Sequence, residues 1–225
     1  MSSRVWSVIL CLVILGAVSA LPPALMLLLG VAKLDLQAEG IVVVPRLQGG
    51  AFSFASVLIM AALMLTGTNL LRWVGGKHTK RAKPTTTRCV YGIVLGVALF
   101  MILLLASRGS VTSTHTLLWG LTGSASAMNK TLYILSLVVI APFAEESLFR
   151  GAFEEILGAT FNPTTTIFMS ALAFSVAHGA QSKLLFYFVA GTLFSLLSYK
   201  SRSLLPAMVA HATFNMLTIV YVLVK

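Results

Sequence analysis

Seven long apolar segments alternate along the chain with shorter polar connections. They cover 5–32, 51–71, 89–106, 131–157, 163–179, 183–199 and 204–224. Most are close to the length, about 20 residues, that a helix needs to cross a hydrocarbon layer roughly 30 Å thick. Segments of this length and apolarity are interpreted as transmembrane helices. The pattern predicts an all-α fold, a polytopic membrane helical bundle with about seven transmembrane helices.

The connections between these segments predict how the helices meet. Two are long, 33–50 and 107–130, and are predicted loops. The connection from 158 to 163 is short, and Asn162-Pro163 is a favourable turn and helix start, so the helices beside it form an antiparallel pair. Gly92 and Gly96 have the spacing that permits close helix packing. We interpret residues 1–225 as a single integral membrane domain.

The amino terminus has two interpretations. Arg4, an apolar run and small residues ending at Ala20 imitate a signal peptide with its cleavage site. Apolar sequence continues past Pro22-Pro23, which favours a kinked first membrane helix instead. Cleavage at Ala20 is the alternative.

Composition excludes a soluble globular domain. Of 225 residues, 58% are hydrophobic and 10% are charged, and the mean hydropathy is +0.95. The two cysteines, Cys11 and Cys89, lie in or beside apolar segments, which indicates neither a disulfide framework nor a thiolate metal site. The chain is therefore predicted to be an integral, multi-pass membrane protein.

The formal charge of +10 does not indicate nucleic acid, because the basic residues lie in short connections. One cluster comprises Arg72, Lys77, Lys80, Arg81, Lys83 and Arg88. The positive-inside bias places this cluster in the cytoplasm, with the amino terminus inside and the carboxyl terminus outside. Binding of anionic lipid is the alternative role.

Four of the six carboxylates lie within eleven residues: Glu145, Glu146, Glu154 and Glu155. The first two follow the apolar run 133–144, and ionisable groups inside a membrane are costly and usually functional. Glu154 and Glu155 are interpreted as a solvated helix end. The local sequence predicts a polar centre inside the bilayer.

Three pairs of side chains, each spaced by four residues, share a helix face. They are Glu146 with Arg150, Phe174 with His178, and His211 with Asn215. With a rise of 1.5 Å per residue, Glu145 lies about 20 Å before the predicted turn and His178 about 22 Å after it, so the two can meet at one level. The last helix approaches that level with His211 about 10 Å and Asn215 about 16 Å from its start.

These residue types can activate water and stabilise the product of its attack. A carboxylate excluded from bulk water is a stronger base, and pairing of Glu146 with Arg150 leaves Glu145 to take a proton from water. His178 would orient that water, while His211 and Asn215 would donate hydrogen bonds to an oxyanion. The sequence predicts peptide hydrolysis, with these six catalytic candidates and no cofactor.

Other protease chemistries fit less well. Asp35 is the only aspartate, which excludes a two-aspartate mechanism within this chain. No HExxH motif occurs, although Glu145, His178 and His211 form a known kind of zinc ligand set. A zinc-dependent membrane protease therefore stays open as an alternative.

The three pairs resemble the motifs EExxxR, FxxxH and HxxxN of the CPBP family, which includes type II CAAX prenyl endopeptidases and bacterial Abi-type proteins. Here they span 145–150, 174–178 and 211–215, and Phe149-Arg150-Gly151 matches the usual FRG. The resemblance covers about 131–220. It implies an intramembrane glutamate endopeptidase in which Glu145 and His178 activate water and His211 with Asn215 stabilises the oxyanion, without metal.

The resemblance also implies a substrate class. This is a membrane-associated protein or peptide, with or without an attached lipid, such as a CAAX-type protein or a bacterial peptide undergoing maturation. The short chain favours a prokaryotic plasma membrane. Two further functions remain open: a catalytically silent membrane immunity or adaptor protein, and a proton-coupled carrier.

Overall fold

The computed structural model describes residues 32–37, 40–45, 50–75, 81–106, 126–178 and 183–224, with isolated positions between 6 and 16. Apart from those positions, the predicted first helix lies outside the described residues. The cleavage position Ala20 and most of the predicted loop 107–130 lie outside them too.

The described part of the chain contains six helices. They are α1 (Gly50–Gly75), α2 (Thr86–Ala106), α3 (Ala127–Gly158), α4 (Pro163–Ala177), α5 (Leu184–Ser201) and α6 (Leu205–Val224). Each begins and ends within a few residues of a predicted segment, because apolar length and turn residues mark the boundaries well. The predicted helical membrane bundle is confirmed.

Helix length separates these elements into two groups. The helices α2, α3, α5 and α6 are long and apolar enough to cross a membrane. The α4 helix has 15 residues and is about 22 Å long, which is shorter than the hydrocarbon layer. The α1 helix, with 26 residues, is long enough to cross it. A helix as short as α4 can place the residue at its end within the bilayer.

The predicted loop 33–50 is wrong in part. It contains an antiparallel hairpin of β1 (Ala32–Gln37) and β2 (Gly40–Pro45), in which Leu34 pairs with Val43. The run Ile41-Val42-Val43-Val44 consists of β-branched residues, which favour extended backbone. The first described helix then begins at Gly50.

The α3 helix is not a uniform α-helix, although its sequence pattern predicts one. Two π-helical segments, Ser136–Ile140 and Ser147–Phe153, interrupt it. In the first segment the Ala141 N–H donates to the Ser136 carbonyl, five residues back. In the same register the Leu137 carbonyl would accept from residue 142, but Pro142 has no N–H. The Leu137 carbonyl is therefore left for a partner from another helix.

Several helices pack closely around α3. The α1, α4 and α6 helices contact it, α2 packs along α6, and α4 packs along α5. A Cβ added at Gly96 would lie 2.5 Å from the Ala210 carbonyl oxygen, and one at Gly92 would clash with the Pro206 carbonyl. The predicted close packing at these glycines is confirmed. It holds α2 against α6, the helix that carries His211 and Asn215.

Candidate active site

Glu145 and Glu146 lie near the middle of α3, and both are buried. Successive residues on a helix point in different directions, so the two carboxylates have different partners. Glu146 Oε1 lies 3.1 Å from Arg150 Nη1 and also 3.1 Å from His211 Nδ1. A carboxylate oxygen can accept both bonds, so Glu146 joins α3 to α6.

Glu145 faces both predicted histidines. Its Oε2 atom lies 3.8 Å from His178 Nε2 and 3.9 Å from His211 Nε2. These distances exceed direct hydrogen bonds. Oε2 is buried and has no hydrogen-bond partner among the described residues. One acid and two imidazoles, from three helices, therefore surround a single point.

The Nδ1 atom of each imidazole faces a hydrogen-bond acceptor, and this determines which ring nitrogen carries the hydrogen. His178 Nδ1 lies 2.8 Å from the Phe174 carbonyl oxygen, which can only accept. His211 Nδ1 faces the Glu146 carboxylate in the same way. Both Nδ1 atoms therefore carry a hydrogen, and both Nε2 atoms present a lone pair toward Glu145 while the ring is neutral.

Aromatic rings hold the two imidazoles in place. Tyr187 stacks on His178 with ring centroids 4.3 Å apart, and Phe194 stacks on His211 at 5.2 Å. Phe174 contacts both imidazoles, with centroids 4.3 Å from His178 and 6.0 Å from His211. The α5 rings were not predicted from the sequence, although their seven-residue spacing on one helix face could have indicated them.

Arg150 is fully buried, and each of its three guanidinium nitrogens donates a hydrogen bond. Besides Glu146, it donates to the Gly191 carbonyl at 3.0 Å and to Ser195 Oγ at 3.3 Å. The guanidinium carbon also lies 4.4 Å from the Phe174 ring centroid. Arg150 thus links α3 to α5, and sequence reasoning missed both α5 partners.

Asn215 lies one helical turn beyond His211 on α6. Its Nδ2 atom donates to the Leu137 carbonyl at 2.9 Å. This is the carbonyl that Pro142 cannot bond in the π-helical segment. Asn215, the predicted oxyanion donor, therefore also joins α6 to α3 by a hydrogen bond. The sequence pattern could not indicate this bond, because the π-helix was not predicted.

The predicted solvated helix end at Glu154 and Glu155 is wrong. Both residues are half-buried, and Glu155 lies 3.6 Å from Arg81 Nη2. Arg81 also donates to the Arg150 carbonyl at 2.6 Å. The basic segment before α2 folds over the end of α3, and burial lowers the pKa of Arg81, an effect that Glu155 opposes.

No group of three or more His, Cys, Asp or Glu side chains in the described ranges is arranged to hold a metal ion. The site therefore brings together Glu145, Glu146, Arg150, His178 and His211, with Asn215 bonded beside it. This arrangement can bind a water molecule, take its proton and present hydrogen-bond donors to a developing negative charge.

Comparison with known proteins places this site within a family segment. No curated protein and no solved structure matches the chain. One family model matches residues 127–217, and its description is Type II CAAX prenyl endopeptidase Rce1-like. The matched segment contains all six predicted site residues. The chain is an integral membrane protein, and its residues 127–217 are similar to the Rce1-like family, which is a protease family.

Proposed function

We propose that the chain is an intramembrane glutamate endopeptidase. It hydrolyses a peptide bond near the membrane-associated end of a protein or peptide. The observation that carries this proposal is the environment of Glu145 Oε2, which is buried, without a hydrogen-bond partner among the described residues, and faced by two imidazole nitrogens. A buried polar atom of this kind needs a hydrogen-bond partner. A water molecule between Glu145 Oε2 and the two imidazole Nε2 atoms would supply one.

In this proposal Glu145 is the general base. A water molecule donates one hydrogen to Glu145 Oε2 and the other to the Nε2 lone pair of His178. As the water oxygen attacks the peptide carbonyl carbon, Glu145 takes the proton and a tetrahedral oxyanion forms. Glu145 then returns the proton to the amide nitrogen as the carbon–nitrogen bond breaks, which releases a carboxylic acid and an amine.

His211 stabilises the oxyanion. Because its Nδ1 hydrogen is directed at Glu146, the Nε2 atom can donate only when the ring is an imidazolium. Glu146 Oε1 lies 3.1 Å from His211 Nδ1 and accepts the Nδ1 hydrogen. The second Nδ2 hydrogen of Asn215 supplies a further donor, while the first holds the Leu137 carbonyl.

The substrate enters from the bilayer. The site lies among apolar helices, and the family is described as prenyl endopeptidases of CAAX proteins. A substrate with a lipid tail or an apolar carboxyl-terminal segment would already be concentrated in the membrane, since each buried CH₂ contributes about 0.8 kcal/mol. We therefore assign a prenylated CAAX-type tail, or a membrane-anchored peptide of a prokaryotic cell, as substrate.

The decisive test replaces Glu145 with Gln, which keeps the shape and removes the base. The purified protein in lipid nanodiscs would be assayed on a prenylated CAAX peptide. Peptides found by mass spectrometry of membranes from cells with and without the gene would be assayed too. We expect kcat to fall by about 10²–10⁴-fold. Glu155→Gln is the matched control, because Glu155 lies at the helix end beside Arg81.

Other outcomes identify the competing functions. A Glu145→Gln variant that kept the cellular phenotype would indicate a silent immunity or adaptor protein. Substrate uptake that depends on a pH gradient would indicate a carrier. Loss of activity in a strong chelator, with recovery on adding zinc, would show a zinc-dependent protease instead.

A further inference from the structure

Arg72 is a half-buried basic residue near the end of α1, and the proposed reaction does not use it. Its Nε atom is buried and has no hydrogen-bond partner among the described residues. Its Nη2 atom lies 3.3 Å from the position that a Cβ at Gly151 would occupy, so the guanidinium lies against α3 where that helix has no side chain. A buried donor without an acceptor is costly, which indicates that a further acceptor binds Arg72 here.

Arg81 lies against the same turn of α3. It donates to the carbonyl of Arg150, the residue before Gly151, at 2.6 Å, and its Nη2 atom lies 3.6 Å from Glu155 Oε1. Two guanidinium charges therefore meet at one turn of the helix, where they repel each other. An anion beside both groups would offset this repulsion and would accept a hydrogen bond from Arg72.

The charge of this end of the bundle favours an anion. Its described residues comprise six basic side chains and two carboxylates. The basic ones are Arg72, Arg81, Lys83, Arg88, Lys200 and Arg202, and the acidic ones are Glu154 and Glu155. Such an excess attracts the anionic phospholipids of a membrane surface. A guanidinium can also donate two parallel hydrogen bonds to one phosphate group.

The depth of Arg72 matches the level of lipid headgroups. The α3 helix has 32 residues, so about 9 Å of it extends beyond each side of a hydrocarbon layer roughly 30 Å thick. Gly151, which Arg72 contacts, is about 10 Å before the end of α3. On α1, Leu70 and Trp73 are 44% and 81% exposed, and their spacing places them on one face. Tryptophan is typical of the membrane interface.

We propose that Arg72, with Arg81 beside it, binds the phosphate group of an anionic phospholipid at the basic end of the bundle. The guanidinium groups supply the hydrogen-bond donors, and the acyl chains lie along Leu70 and Trp73. A free phosphate ion or a soluble phosphate ester shares the headgroup chemistry but lacks these chains. The site goes beyond the proposed peptidase, and its occupancy does not depend on peptide cleavage.

The test is lipid retention by the purified full chain, measured by native mass spectrometry from a nonionic detergent with equal amounts of phosphatidylglycerol and phosphatidylcholine. We expect the chain to retain one phosphatidylglycerol molecule in preference to phosphatidylcholine. Arg72→Gln should bind it about tenfold more weakly, because charge-assisted hydrogen bonds to phosphate are lost. Arg202→Gln is the matched control, since it removes the same charge at an exposed position of the same end. Its affinity should stay within about twofold of the original.

Two soluble competitors separate the sources of phosphate. Inorganic phosphate and glycerophosphoglycerol, at millimolar concentration, should leave the bound lipid in place. Displacement of the lipid by either would show a site for soluble phosphate and would overturn the lipid assignment. Equal retention of the two lipids would overturn it as well.

The variants separate a defined site from general attraction by charge. Equal losses in Arg72→Gln and Arg202→Gln would overturn the proposal, as would unchanged binding by Arg72→Gln that elutes as a folded protein in size-exclusion chromatography. Arg72→Lys keeps the charge and removes the fork of donors, so we expect about threefold weaker binding. If Arg72→Gln did not fold, unchanged affinity in Arg72→Lys would overturn the proposal instead.

Discussion

At the scale of single residues, Arg150 shows how a full charge is tolerated inside this bundle. Its side chain is fully buried, and three hydrogen bonds hold it: one to the Glu146 carboxylate, one to the Gly191 carbonyl and one to Ser195 Oγ. Burying a charge is costly unless the charge is paired and hydrogen-bonded. The planar guanidinium satisfies both conditions by bonding in three directions, which an ammonium at the same position could not do with this geometry.

Arg150→Lys should therefore be strongly destabilising although it keeps the charge. The shorter ammonium cannot reach Glu146, Gly191 and Ser195 together, so buried acceptors lose their partner. We expect the free energy of unfolding to fall by about 3 kcal/mol, measured as a lower denaturation midpoint in detergent. Arg202→Lys, at an exposed position, is the control. Equal stability of both variants would contradict the structural role of Arg150.

The two imidazoles were predictable as residues but not as oriented groups. The i to i+4 spacing indicated which side chains share a face, and the depth of each helix indicated that they could meet. The proton positions depend on the Phe174 carbonyl and the Glu146 carboxylate. Whether an acceptor lies within hydrogen-bond distance of an imidazole depends on differences of a few tenths of an ångström in atomic position. Helix periodicity does not determine such differences.

At the scale of elements, the α2–α6 contact decides where His211 lies. Gly96 packs against α6 backbone and side-chain atoms, with a Cβ at that position 2.5 Å from the Ala210 carbonyl oxygen and 2.7 Å from Thr213 Cβ. His211 is the residue after Ala210. Any movement of α6 away from α2 would therefore also move the imidazole relative to Glu145 and Glu146.

Gly96→Ala should consequently reduce both stability and activity. The added methyl group forces backbone atoms apart, which typically costs about 1–3 kcal/mol. Thermal unfolding in detergent measures the first effect, and kcat measures the displacement of His211. Gly158→Ala is a matched control, because a Cβ there meets nothing within 4 Å. If Gly96→Ala were as stable and active as the control, the close α2–α6 packing would be refuted.

Helix positions followed from the sequence, whereas helix type did not. Apolar length and turn residues located α1 to α6. The π-helical segments Ser136–Ile140 and Ser147–Phe153 depend on tertiary contacts instead. Asn215 satisfies the Leu137 carbonyl in the first segment, and Arg81 bonds the Arg150 carbonyl in the second. Each partner comes from a distant part of the chain, which a local pattern cannot reveal.

At the scale of the whole molecule, basic residues gather at one end of the bundle. Arg81 contacts Glu155 at 3.6 Å, Arg88 donates to the Ser201 carbonyl at 2.7 Å, and the Ala82 N–H donates to the Arg202 carbonyl at 2.8 Å. The start of α2, the end of α3 and the end of α5 therefore lie together. The positive-inside bias predicts that this end faces the cytoplasm.

We then expect the opposite end of α3 outside the cell and the candidate site between the two ends. With 32 residues, α3 is about 48 Å long, which is enough for its two ends to emerge on opposite sides of a membrane. Glu145 is about 27 Å from the first residue of α3 and about 20 Å from the last. We therefore expect the candidate site inside the hydrocarbon layer, where the protein would have to hold the water molecule that the proposed reaction needs.

Cysteine labelling can test this orientation in cells. In a background with Cys11 and Cys89 replaced by Ser, Lys83→Cys should react with a membrane-impermeant maleimide only after the membrane is opened. Met128→Cys, at the first turn of α3 and 67% exposed, should react in intact cells. Labelling of both positions from the same side would contradict the spanning path of α3. The reverse pattern would contradict the positive-inside assignment and would place the basic end, with Arg81 and Glu155, outside the cell.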